Sequence, residues 1–167
     1  MKAVIILVMH GVPPNDFLRE ELAEFFRLHS QVGKGAKPSP IQDRYELLDN
    51  KMRNWPRNEH NDPFYAASQE LAANLSEVSG LEVIVGYNEF CAPSLDEALQ
   101  SAVNENADKI IVATPMMTRG GEHAEKDIPA KIEEFSTRYP QIEITYAWPF
   151  DTLQVARFLS EHISRFA

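Results

Sequence analysis

The stretch Lys2-Ala-Val-Ile-Ile-Leu-Val-Met-His-Gly11 decides the fold. Its apolar residues run without alternation over the length of one strand and stop at a histidine and a glycine. A strand that faces solvent on one side alternates apolar and polar residues. A continuous apolar run is expected where both faces are covered, as in a parallel sheet with helices on each side. Three later runs read the same way: "LEVIVGY" (81–87), "DKIIVATPMM" (108–117) and "IEITYAW" (142–148). The chain is therefore expected to be α/β, with a four-stranded parallel sheet, right-handed crossovers and helices on both faces. The expected strand order is 2-1-3-4.

The helices between these runs carry recognisable starts. Ser94-Leu-Asp-Glu97 is a capping box ahead of Leu95, Ala98, Leu99, Ala102 and Val103 at helical spacing. Asp127 is expected to cap a helix with Ile128, Ile132 and Phe135, Pro129 being tolerated in its first turn. Asp151 is expected to start a last helix with Leu153, Ala156, Leu159 and Ile163. The first crossover is too long: Gly11 to Gly80 has room for three helices where one suffices. One is expected over Phe17–Leu28. A second follows the capping box Ser39-Pro-Ile-Gln42 and places Ile41, Tyr45, Leu48, Met52 and Trp55 on one face. A third starts at Asn61-Asp-Pro63 and ends at Gly80. Between the first two lies "SQVGKGAKPSP" (30–40), a polar loop expected to be mobile. No shift in composition marks a second domain, so residues 1–167 are read as one domain with a helical insertion at about 14–60.

Composition removes several functional classes. With 44% hydrophobic residues in 167, the chain is long and apolar enough to bury one sizeable core. The opening run "AVIILVM" is too short for a membrane span or a signal-peptide core, and no later segment is long enough to span. Cys91 is the only cysteine, which rules out an internal disulfide. A cytoplasmic protein is expected, with no membrane partner. The net charge is −9 and the basic residues are scattered, so nucleic acid is not an expected partner. A small anion is still compatible with a local basic site.

Ligands of open parallel sheets bind beyond the carboxyl ends of the strands. His10 directly follows the first strand, Glu89 follows the second, and His123 lies in the loop after the third. Each alone is also an ordinary turn or loop residue. Together they fall at one edge of the sheet on strands expected to be neighbours, a convergence that sequence distance does not require. Two imidazoles and a carboxylate suit a transiently held divalent first-row metal such as Co, Fe, Ni or Zn. Neutral imidazole also accepts a proton near neutral pH. In the third loop, "TRGGEHAEKDIP" (118–129), Gly120 and Gly121 are expected to turn the chain. Glu122 and Glu125 have no assigned role there.

Three blocks resemble the class II chelatases of the sirohydrochlorin cobalt/iron/nickel type, the CbiX/SirB group. They are "ILVMHGVPP" (6–14), "YNEFCAPSLDEAL" (87–99) and "TPMMTRGGEHAEKDIP" (114–129), the last being the most specific. The resemblance covers roughly residues 1–13 and 80–165, while about 14–79 has no counterpart. It implies a chelatase-like half domain enlarged between its first two strands. It also implies ATP-independent insertion of Co, Fe or Ni into sirohydrochlorin or a related acidic tetrapyrrole. The metal would be a substrate, and no organic cofactor is implied. Carried over residue by residue, it assigns His10, Glu89 and His123 to metal binding and proton transfer. Arg119 is a candidate for the substrate's peripheral carboxylates, with Lys126 weaker and better read as a solvated charge. Short members of the family pair to complete the cleft, which implies a homodimer.

The sequence departs from the family pattern in places. Met9 replaces a glycine, Val12-Pro13 replaces Ser-Arg, and Cys91-Ala92 stands where Ala-Glu is usual. Cys91 is better read as a packed residue than as a ligand. These departures keep open a non-catalytic metal or tetrapyrrole carrier. A histidine phosphatase is a weaker alternative: "LVMHG" approaches that family's first strand, but Met9 stands where a phosphate-holding arginine is needed.

Overall fold

A computed structural model describes residues 2–32 and 38–167. Residues 33–37 of the loop expected at 30–40 lie outside the described residues. The four apolar runs form strands β1 (Ala3–Met9), β2 (Glu82–Tyr87), β3 (Lys109–Ala113) and β4 (Glu143–Tyr146). All pairs are parallel and the order is β2-β1-β3-β4, as the sequence implies. β1 is the central strand, and its residues from Val4 to Met9 are all buried.

Among the described residues six α-helices accompany the strands: α1 (Arg19–His29), α2 (Pro40–Arg53), α3 (Pro63–Ser79), α4 (Leu95–Asn104), α5 (Ile128–Arg138) and α6 (Thr152–Ile163). One face of the sheet presents Val4, Ile6, Val8, Ile110 and Val112 to Leu95, Ala98, Leu99 and Ala102 of α4 and to Ile128 and Phe135 of α5. The opposite face presents Leu7, Met9, Val85 and Tyr87 to Ala72, Phe64 and Leu75 of α3. The insertion builds its own cluster, in which Phe17, Phe25, Leu28, Leu48 and Met52 are buried and Tyr45, Trp55 and Phe90 flank them. Leu48 and Met52 are fully buried. Truncating either to alanine would cost roughly 2–5 kcal/mol. The apolar stripe of α2 is thus largely satisfied within its own chain.

Several helix starts follow the sequence. Asp62, Ser94 and Asp151 accept backbone N–H bonds from Tyr65, Glu97 and Gln154, and Ser94–Glu97 is a complete capping box. Gly80 closes α3 in the left-handed conformation. Other expectations are corrected. β3 stops at Ala113 rather than 117, because Pro115 has no N–H to continue the ladder. The Ser39 box is only half made: Ser39 accepts from Gln42 N, but the Gln42 side chain donates to Glu46 instead. α1 begins two residues later than expected, at Arg19. Asp127 is not a cap, since its backbone is already helical and its side chain makes no cap bond. A π-helical turn, His123–Asp127, precedes α5 and runs straight into it. The predicted core stripe of α6 also fails to bury: no residue of α6 is buried, and Leu153, Leu159 and Ile163 are 58%, 48% and 61% exposed.

Candidate metal site and cleft

Parallel pairing of β1 and β2 does not end with the strands. Asn88 N donates to Met9 O and Glu89 N donates to His10 O, both at 2.9 Å. Backbone bonds just past the strand ends therefore set His10 and Glu89 side by side. Gly11 allows this approach. It has φ +90°, and a Cβ there would collide with the Glu89 carbonyl oxygen.

The third residue arrives from β3. The π-helical turn seats Ala124 in the core, fully buried, and the Tyr146 hydroxyl donates to Ala124 O at 2.9 Å. Burial pushes the Tyr146 hydroxyl up to about 12, so it stays a donor. Asp127 Oδ2 lies 2.8 Å from His123 Nδ1. A carboxylate only accepts, so Nδ1 carries a proton, and in the neutral ring Nε2 is the atom with a lone pair for a metal.

The result is a triangle. Ligand atoms of His10, Glu89 and His123 all lie within 4.8 Å of one another. His10 Nδ1 is 3.8 Å from Glu89 Oε2, and the two imidazoles meet edge to face at 4.8 Å between centroids. Two ligands about 2.1 Å from one tetrahedral ion stand about 3.4 Å apart, so small side-chain adjustments bring the three donors onto a single ion. His10 and Glu89 are 47% and 33% exposed, and His123 is 27% exposed. Such a set is accessible and leaves coordination positions open, unlike a closed structural site.

Beside the triangle is a cleft of about 450 Å³, a volume suited to a small-molecule ligand. Glu89 and His123 line it, with Arg53, Asn88, Tyr87, Asp96, Asp127 and Lys131. Sequence reading missed Arg53, Asp127 and Lys131. The signal for Asp127 was its i,i+4 spacing from His123, which has meaning only once the helix is known to start a turn early. Arg53 lies in the insertion, where no motif pointed to it. Arg119 is exposed and does not line this cleft. Lys126 pairs with Glu122 at 3.7 Å, both exposed, in keeping with a solvated charge. Glu125 gains a role, accepting from Gly120 N at 2.9 Å, with Gly120 at φ +89°. Cys91 is buried and its thiol is pushed up to about 11 by burial, consistent with packing rather than metal binding.

The CbiX family model matches residues 57–165, which takes in Glu89, His123, the cleft's α4 and α5 walls and α3. The chain belongs to the CbiX family. The match begins before α3, which corrects the expectation that residues 14–79 have no counterpart: 57–79 have one, while α1 and α2 lie outside the matched region. This CbiX-family chain is 30% identical over 66 residues to the sirohydrochlorin ferrochelatase of Priestia megaterium, covering 40% of this chain and 24% of that protein. It is 40% identical over 70 residues to the sirohydrochlorin cobaltochelatase of Saccharolobus solfataricus, covering 38% of this chain and 54% of that one. The matches thus span from a quarter to about half of these relatives. The crystal structure of the CbiX protein from Marinobacter aquaeolei VT8 shares the fold with a TM-score of 0.53 at 18% identity, over 98% of both chains.

Proposed function

We propose that this chain inserts a divalent metal, Co, Fe or Ni, into sirohydrochlorin or a related acidic tetrapyrrole without ATP. The observation that carries this reading is the convergence of His10, Glu89 and His123 within 4.8 Å beside the cleft. The sirohydrochlorin chelatases among the relatives support the substrate class. In this reading the three residues present the incoming ion while open coordination positions let it pass to the macrocycle. Two pyrrole protons must leave as the metal enters. His10, the most exposed of the three donors, is placed to accept one, and Glu89 beside it stabilises the resulting imidazolium. His123, held by Asp127, keeps its Nε2 directed to the metal. Arg119, exposed on the same loop, is assigned to the substrate's peripheral carboxylates. This chemistry calls for no organic cofactor, and we place it in the cytoplasm.

We further infer a homodimer. Among the described helices, α6 alone has no buried residue. It exposes Leu153, Phe158, Leu159 and Ile163, and Phe166 beyond it is 79% exposed. The neighbouring strand β4 leaves Glu143 and Thr145 exposed on one face. An apolar helix with no buried residue, following the sheet's edge strand in the chain, suits a second copy.

The test is anaerobic incubation with sirohydrochlorin and a panel of divalent metals, followed by the absorption change on insertion. His10→Ala and His123→Ala are expected to lower the rate by at least about 100-fold, the scale of lost general acid–base catalysis. Wild-type rates in both variants would refute the reading. Stoichiometric binding of the macrocycle with no accelerated insertion would point to a carrier instead.

A further inference from the structure

The segment that carries Glu89 is held by two arginines, Arg53 outside the family match and Arg57 at its first residue. Arg53, the last residue of α2, donates from Nη1 to Cys91 O at 3.2 Å and from Nη2 to Asn88 O at 3.3 Å. Its own carbonyl accepts from Ala92 N at 3.0 Å, and Asp49 holds its Nε at 2.8 Å. Arg57, four residues on, donates to Phe90 O, and also to Val12 O at 2.8 Å and Met52 O at 3.0 Å. Its guanidinium is buried against Asp62. The remaining carbonyl, that of Glu89, accepts from Cys91 N at 2.7 Å and packs over Gly11. All four carbonyls from Asn88 to Cys91 are therefore bonded, three of them by the two arginines. Within this stretch Phe90 sits at φ +59°, a region a phenylalanine rarely adopts and one that its surroundings must enforce.

We propose that Arg53 and Arg57 are positioning residues that hold the Asn88–Cys91 turn so that Glu89 faces His10 and His123, making metal capture depend on the inserted helix α2. This deepens the proposed role of Glu89 in metal binding and rests on it. Neither arginine is a ligand. Each acts through the backbone that sets where the Glu89 carboxylate points. This gives the insertion a task at the metal site.

The test is Co²⁺ binding to the whole chain with no macrocycle present, which separates this role from any contact of Arg53 with substrate in the cleft. Arg53 is the residue to vary, because the buried Arg57–Asp62 pair is more exposed to folding failure. Arg53→Met is expected to weaken Co²⁺ binding about 10- to 100-fold, the scale seen when groups behind metal ligands are removed. Glu89→Ala should weaken it too, and adding Arg53→Met to Glu89→Ala should cause no further loss. Arg53→Lys keeps the charge but cannot span two carbonyls, and should fall between wild type and Arg53→Met. Circular dichroism checks that each variant is folded. Wild-type affinity in folded Arg53→Met, or the same fold loss with and without Glu89, would overturn the proposal. If Glu89→Ala itself left Co²⁺ binding unchanged, the metal-site reading would fall with it. Weakening by Glu89→Ala but not by Arg53→Met would remove only the positioning role.

Discussion

His123 Nδ1 and Asp127 Oδ2 stand 2.8 Å apart across one π-helical turn. The pair joins a histidine of the candidate metal site to the start of the helix that anchors it in the core.

From this contact, Asp127→Ala is expected to weaken metal binding about 10- to 100-fold while leaving the chain folded, because His123 loses its fixed tautomer and orientation but not its place. Isothermal titration with Co²⁺ measures it. Unchanged affinity would mean that the carboxylate does not orient the ring.

Gly11→Ala should destabilise the fold by about 3 kcal/mol. A left-handed φ is costly for alanine, and the added methyl meets the Glu89 carbonyl. Denaturant unfolding would show the loss, and metal binding should weaken as well, since the two loops would have to part. Alanine at Gly121, where nothing lies within 4 Å, serves as the control.

Stability should fall at alkaline pH. The Cys91 thiol ordinarily titrates near 9.0, and burial lifts it to about 11 in the folded chain. Below 9 both states keep the proton, so burying the neutral thiol costs nothing in pH terms. Above it the unfolded chain loses the proton first, and stability declines as pH rises toward 11. Cys91→Ala should flatten that part of the profile, and native Cys91 should resist alkylation until the protein unfolds. Rapid labelling of the native protein would count against its burial.

If α6 meets a second copy, Phe158→Ser with Ile163→Ser should give a monomer by sedimentation. The monomer's melting temperature should differ little from that of the wild-type chain at dilutions where the dimer has dissociated, because the two residues are exposed within the chain. An unaltered dimer would place the interface elsewhere.

Much of the sheet was readable in advance for a physical reason. Unbroken apolar runs such as Val4–Val8 are tolerated only between two covering layers, and that fixes the strand class. Ser94 and Asp62 announced their helices through side chains that satisfy end N–H groups. The triad could be inferred because strand ends in a parallel sheet share one edge. Asp127 was misread because a carboxylate before Ile-Pro has the same sequence signature whether it caps a helix or lies inside one. Arg53 and Arg57 were invisible because what they hold at the Glu89 turn is backbone carbonyls, which every sequence supplies. The exposure of α6 could not be foreseen either, since an amphipathic stripe says that a face is apolar without naming what covers it.

Backbone hydrogen bonds at the ends of β1 and β2 tie His10 to Glu89, whereas His123 reaches the triangle from a separate connection after β3. Two corners therefore share the stiffness of the central sheet. On the proposed reading, widening or narrowing the triangle to receive and release an ion would fall to the third corner, and the timing of metal exchange would follow the connection from Thr114 to Glu122 and the side chains themselves.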